Sequence, residues 1–121
     1  MSTNGEAQNR GSKLIVGIVQ RGKADAPVRA AMRVGAQAAT VIFARGLGVR
    51  ERLGLLGLAV QPEKEVILIV VDEVYVDRVL AAMVRAGNLD QPGVGFVFVV
   101  PVDRAVGLLE AEEMAQAAPL S

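Results

Sequence analysis

The chain contains no cysteine, no histidine and no tryptophan. Without cysteine there is no disulfide and no thiolate nucleophile. Without histidine there is no Ser-His-Asp triad, no imidazole general base and no Cys/His zinc site. Any metal would have carboxylate ligands alone, which suits Mg²⁺ or Ca²⁺. Aromatic residues make up only 3% of the chain, too few for a platform on which single-stranded nucleic acid stacks. The 13 basic and 13 acidic residues cancel, so no net positive field attracts a phosphate backbone, and little repulsion opposes self-association. Long hydrophobic runs are missing too: charges and prolines interrupt every apolar stretch before it reaches bilayer length. The opening MSTNGEAQNRGSK lacks the apolar stretch of a signal peptide. These absences predict a cytoplasmic protein that is not an enzyme, holds no metal, binds no nucleic acid and does not insert into a membrane.

What is present is abundant aliphatic material: 52% of the 121 residues are hydrophobic, enough for one domain with a core of Val, Leu, Ile, Ala and Met. The order of patterns occurs twice. KLIVGIVQ, ADAPVRAAMRVGA and TVIFA read as strand, helix, strand; EVILIVVD, EVYVDRVLAAMVRA and VGFVFVV repeat that order. Two such units in a short chain predict an α+β, ferredoxin-like βαββαβ sandwich, an antiparallel sheet with two helices on one face. The other face then needs a cover. Residues 1–12 read as a disordered tail, 13–109 as the domain and 110–121 as an acidic C-terminal tail.

Leu14 to Val19 is a nearly continuous apolar run, as in a central strand buried on both faces. Asp25 ahead of Pro27 reads as a helix N-cap. Val28, Ala31, Met32 and Gly35 follow at one helical face, though Ala and Gly bury little. Thr40 to Ala44 is the second strand. From Arg45 to Gln61 glycines and leucines alternate without a clean period, predicting a long loop of functional type, ended by Pro62. Val66 to Val71 is the third strand, and Asp72 caps the second helix. Its stripe is Val76, Val79, Leu80, Met83 and Val84, and Gly87 is its expected stop. Asn88 to Gly95 is a turn, Phe96 to Val100 the fourth strand. Residues 103–118 read as a short strand or turn and then a frayed acidic helix.

Arg45-Gly46-Leu47-Gly48 follows the second strand. Glycines let successive N–H groups converge on an anion, and Arg45 adds a planar charged fork. An ordinary glycine-rich turn with an exposed arginine is the commoner meaning of so short a pattern. Gly93-Val94-Gly95 allows close backbone approach to a ligand, or is simply the turn that Pro92 requires. Arg50-Glu51-Arg52 reads as a solvated charge cluster. LGLLGLAV at 53–60 is apolar within a loop and needs a cover, either its own domain or a neighbouring subunit. Asp72-Glu73 and Glu110, Glu112 and Glu113 are explained as a cap and a solvated face, not as an acid/base pair.

Together the blocks KLIVGIV, GAQAATVIFARGLG, PEKEVILIVV and GNLDQPGVGFVFVVPVDRAVGL resemble the PII signal-transduction superfamily over about residues 13–109. The resemblance implies a homotrimer that binds adenine nucleotide in clefts between subunits and relays its state through an effector loop to a partner protein. It places Ile18 near the base of the site, and Thr40, Arg45, Gly46, Leu47 and Gly48 along the second strand and the base of the loop. Gly93, Val94, Gly95 and Phe96 fall at the turn that wraps nucleotide phosphates. Main-chain N–H groups of 46–48 and 93–95 would hold the ligand, Arg45 would contact its anion, and segment 46–57 would order when it binds.

Several positions depart from the family pattern. The loop is short and has no modifiable tyrosine, since Tyr75 lies in the second helix. Phe96 stands where the family has a phosphate-binding lysine, and Gly107 and Leu109 stand where it has an Arg-x-Arg pair. Missing phosphate charges favour ADP or AMP over tight ATP binding. These departures resemble the short-loop, PII-like branch, including carboxysome-associated members that bind adenine nucleotide with bicarbonate. The implied partner is a transporter, an enzyme or a carboxysome component. A ligand-free trimeric scaffold module and a nitrogen-regulatory PII homologue are the alternatives.

Overall fold

The computed structural model describes residues 11–45 and 63–107. Its elements run β1 (Ser12–Gln20), α1 (Asp25–Arg33), β2 (Thr40–Arg45), β3 (Glu63–Asp72), α2 (Glu73–Gly87) and β4 (Gly95–Pro101). The strands form one antiparallel sheet in the order β2-β3-β1-β4. The ferredoxin-like βαββαβ arrangement expected from the repeated pattern is therefore the fold. β1 begins at Ser12, which is buried and pairs with Asp72, so the sheet starts one residue earlier than expected.

Side-chain alternation divides the sheet. Ile15, Val19, Ile67, Ile69 and Val71 point to the helices and are buried with Val79 and Met83. Leu14, Val16, Ile18, Val66, Leu68 and Val70 point the other way, toward no element among the described residues. Within the single chain the continuous apolar run of β1 is therefore covered on the helix side, with its other face largely uncovered. Of these six, only Val16 is counted among the buried residues, at the centre of the open face.

The two helices differ in how far their buried faces follow the apolar stripes. In α2, Val79 and Met83 are fully buried and Val76, Leu80 and Val84 pack around them. In α1 the buried residues are Pro27, Ala30 and Ala31, whereas Met32 is exposed and Gly35 lies beyond the helix. Asp72 caps α2, accepting a hydrogen bond from Val74 N–H at 2.9 Å. Asp25, however, is the first residue of α1 and not its cap. The capping position is Ala24, whose side chain caps nothing. Its backbone N–H instead donates to Glu65 Oε1 at 3.0 Å, a buried contact reaching across from β3.

Gly87 is the last residue of α2 rather than its left-handed stop; Asn88 takes that conformation, with φ 53°. A Cβ at 87 would sit close against Pro27 Cγ, at 3.0 Å, and against the Leu89 side chain, so the absence of a side chain there eases the approach of α1 to α2. The long loop to Gln61, Pro62, and the segments 1–10 and 108–121 lie outside the described residues. No described helix is long and apolar enough to cross a membrane.

Glu65 gives a direct stability prediction. Glu65→Ala leaves the Ala24 N–H without its charged acceptor and should cost about 2 kcal/mol, while Glu65→Gln, which keeps an acceptor, should cost less. The urea midpoints of the two variants measure the difference.

Candidate functional site

The register puts three connections at one end of the sheet. Arg45 closes β2 opposite Glu63, Lys64 pairs with both Ala44 and Gln20, and Gly95 opens β4 opposite Val19. The segment after Arg45, the β1–α1 turn and the Gly93–Gly95 turn therefore share that end. They do not share an edge. β2 and β4 are the outer strands, so Arg45 and Gly95 are separated by three strand spacings, about 14 Å.

At the β2 edge an open cleft of about 520 Å³ is lined by Arg21, Phe43, Ala44, Arg45, Glu63 and Lys64. Arg21 is fixed by two bonds. Its backbone N–H donates to the Glu63 carbonyl at 3.3 Å, and its guanidinium pairs with Glu63 Oε1 at 2.6 Å. Phe43 is 76% exposed and forms an apolar wall. The residues that line it include Arg21, Arg45 and Lys64 against one carboxylate, Glu63, a net excess of positive charge. It can receive an anion with an attached planar or apolar group.

At the β4 edge, Gly93 has φ 80°, and its carbonyl accepts a hydrogen bond from Gln20 Nε2 at 3.4 Å. A Cβ on Gly95 would lie 2.6 Å from the Ile18 carbonyl oxygen, so only glycine lets β4 enter the ladder there. Val94 lies between them and packs on the core.

The other expected site residues are spread over the open face. Ile18 is in register with Val66 and Phe96, and Thr40 is in register with Leu68, midway along the sheet rather than at its end. Phe96 is part of the strand and stacks on Phe98, with ring centroids 5.9 Å apart. Gly46, Leu47 and Gly48 lie outside the described residues. The structure adds Arg21, Glu63 and Lys64, which belong to no short motif in the sequence. Their signal was topological: residues 21, 45 and 64 meet only because β1, β2 and β3 are adjacent and antiparallel. Among the described residues no group of three His, Cys, Asp or Glu side chains could hold a metal.

The family model described as nitrogen regulatory protein P-II matches residues 12–112. The chain belongs to the P-II family. It is thus a member of a family of non-enzymatic signal-transduction proteins, as the missing catalytic residue types suggested. Among solved structures, PII of Arabidopsis thaliana, crystallised with citrate bound, has the same fold: TM-score 0.58, 22% identity, 77% of this chain and 78% of that one covered. No curated protein matches the chain.

Proposed function

We propose that this P-II family member is a homotrimeric sensor of adenine nucleotide, ADP or AMP. Its ligand sits where the β2 edge of one subunit meets the β4 edge of the next. The observation that carries this reading is the combination of an uncovered apolar sheet face with two loop-bearing edges at one end. Closing three copies face to face would bury the open face and bring each Arg45 cleft toward a neighbour's Gly93–Gly95 turn. Phosphate would then meet main-chain N–H groups and Arg45, with Phe43 offering a wall to the base. The bound state would pass through the 45–61 loop to a regulated protein, which the resemblance suggests is a transporter, an enzyme or a carboxysome component.

Bicarbonate as a second ligand, and placement in the short-loop branch, rest on the family departures described above. Citrate bound to the Arabidopsis protein supports the idea that small carboxylates suit this fold.

The test is calorimetric titration of the wild type and of Arg45→Ala with ADP and AMP, each with and without bicarbonate. Loss of one charge-assisted contact should weaken nucleotide binding about tenfold and leave the oligomer intact. A wild type silent to every ligand would instead favour a scaffold module.

A further inference from the structure

Glu63 is conspicuous in a cleft otherwise lined by cations. It is the register partner of Arg45 across the β2–β3 pair, and its side chain points to the same face. On its other side it holds the Arg21 guanidinium at 2.6 Å. Lys64 follows it directly and lines the same cleft. The carboxylate therefore stands beside two guanidinium-bearing residues, in the position an incoming anion would take.

We infer that Glu63 is a built-in competitor: its carboxylate occupies the anion position of the Arg21–Arg45–Lys64 cleft, and a ligand must displace it from Arg21 to bind fully. The inference rests on the nucleotide-binding reading and identifies the residue that sets the site's affinity and charge preference. Exposure makes displacement feasible. The Arg21 and Glu63 side chains are 68% and 32% exposed, and ion pairs that open to water contribute little net stability. A monoanion merely replaces one carboxylate by another. A ligand with two or more charges can engage Arg21 and Arg45 together, so it gains over the resident group. The cleft is thereby biased toward phosphorylated ligands and against bicarbonate on its own.

Glu63 also begins β3, directly after segment 46–62.

The probe is inorganic pyrophosphate, titrated into the full-length protein at low salt. Two neutral replacements, Glu63→Gln and Glu63→Ser, are compared so that a folding defect in one does not decide the matter. Removing the competing charge should tighten pyrophosphate binding about fivefold, an effect that shrinks as salt is added. Arg21→Gln should then cost more affinity in the Glu63→Gln background than in the wild type, because only there is Arg21 unoccupied. A merely structural Glu63 would not produce that non-additivity. The inference is overturned if both neutral variants bind pyrophosphate no more tightly than the wild type, or if neither binds it at all. ADP binding that persists under those outcomes would leave the underlying nucleotide reading standing; loss of ADP binding by the wild type would remove both.

Discussion

Phe98→Asp is expected to convert the proposed trimer into a folded single chain of 12.7 kDa. Phe98 lies on the uncovered face of β4, 42% exposed and stacked on Phe96, which is 54% exposed. Ile42, on the same face of β2, is 46% exposed. Rows such as Leu68–Val16–Phe98 and Ile42–Val66–Ile18–Phe96 run straight across the sheet. A continuous apolar face of this kind marks an interaction surface. Burying one phenylalanine contributes about 2 kcal/mol, and trimer symmetry repeats the gain at every copy. Aspartate in its place would be a desolvated, unpaired charge brought into the assembly once per subunit. The helix-side core does not contain residue 98, so far-UV circular dichroism should change little while light scattering falls to the monomer mass. An unchanged mass would mean that the open face is not the interface.

The largest loss of stability is expected from Gly95→Ala. The added methyl would sit 2.6 Å from the Ile18 carbonyl oxygen and 3.3 Å from Val19 Cα, both backbone atoms of the central strand β1. Backbone cannot rotate aside as a side chain can, so relief requires opening the β1–β4 ladder at its first pair. A cost of about 3 kcal/mol follows, read as a drop in urea midpoint. Gly22→Ala is the control. It also breaks a positive-φ glycine, at 84°, but no atom lies within 4 Å of its Cβ. Its cost should stay near 1 kcal/mol, the conformational term alone. Equal losses at the two positions would refute the steric account of Gly95.

The same contrast between local and long-range causes explains what was legible in the sequence. Strands and α2 declared themselves because Val, Ile and Leu contrast sharply with their polar neighbours. α1 did not, because its buried face is Pro27, Ala30 and Ala31, and small residues give a weak periodic signal while exposed Met32 gives a false one. Asp25 looked like a cap because it precedes Pro27, yet the acceptor at that helix end is Glu65, forty-one residues away in the chain. Asn88 takes the left-handed position with φ 53°, a conformation asparagine tolerates better than most residues, so the glycine beside it was not the stop. At the candidate site, Arg45 and the Gly93–Gly95 turn were readable as motifs. Arg21, Glu63 and Lys64 were not, since single charged residues at strand ends look like solvated surface until strand order brings them together.

The shared cleft is the central claim, and subunit complementation tests it most directly. Arg45→Ala removes the β2-edge contribution; Gly93→Asp places a negative charge on the β4-edge turn, where aspartate tolerates the left-handed backbone. Each variant alone should bind ADP at least tenfold more weakly than the wild type, and the recovery is read as sites of wild-type affinity. Co-assembled in equal amounts around a closed ring of three, they should recover binding at about a quarter of the sites, those where an intact Arg45 faces an intact Gly93 of another chain. Recovery near that level is the predicted result. Mixed assemblies with no site of wild-type affinity would show that both residues must come from one chain, and would contradict a ligand site built between subunits.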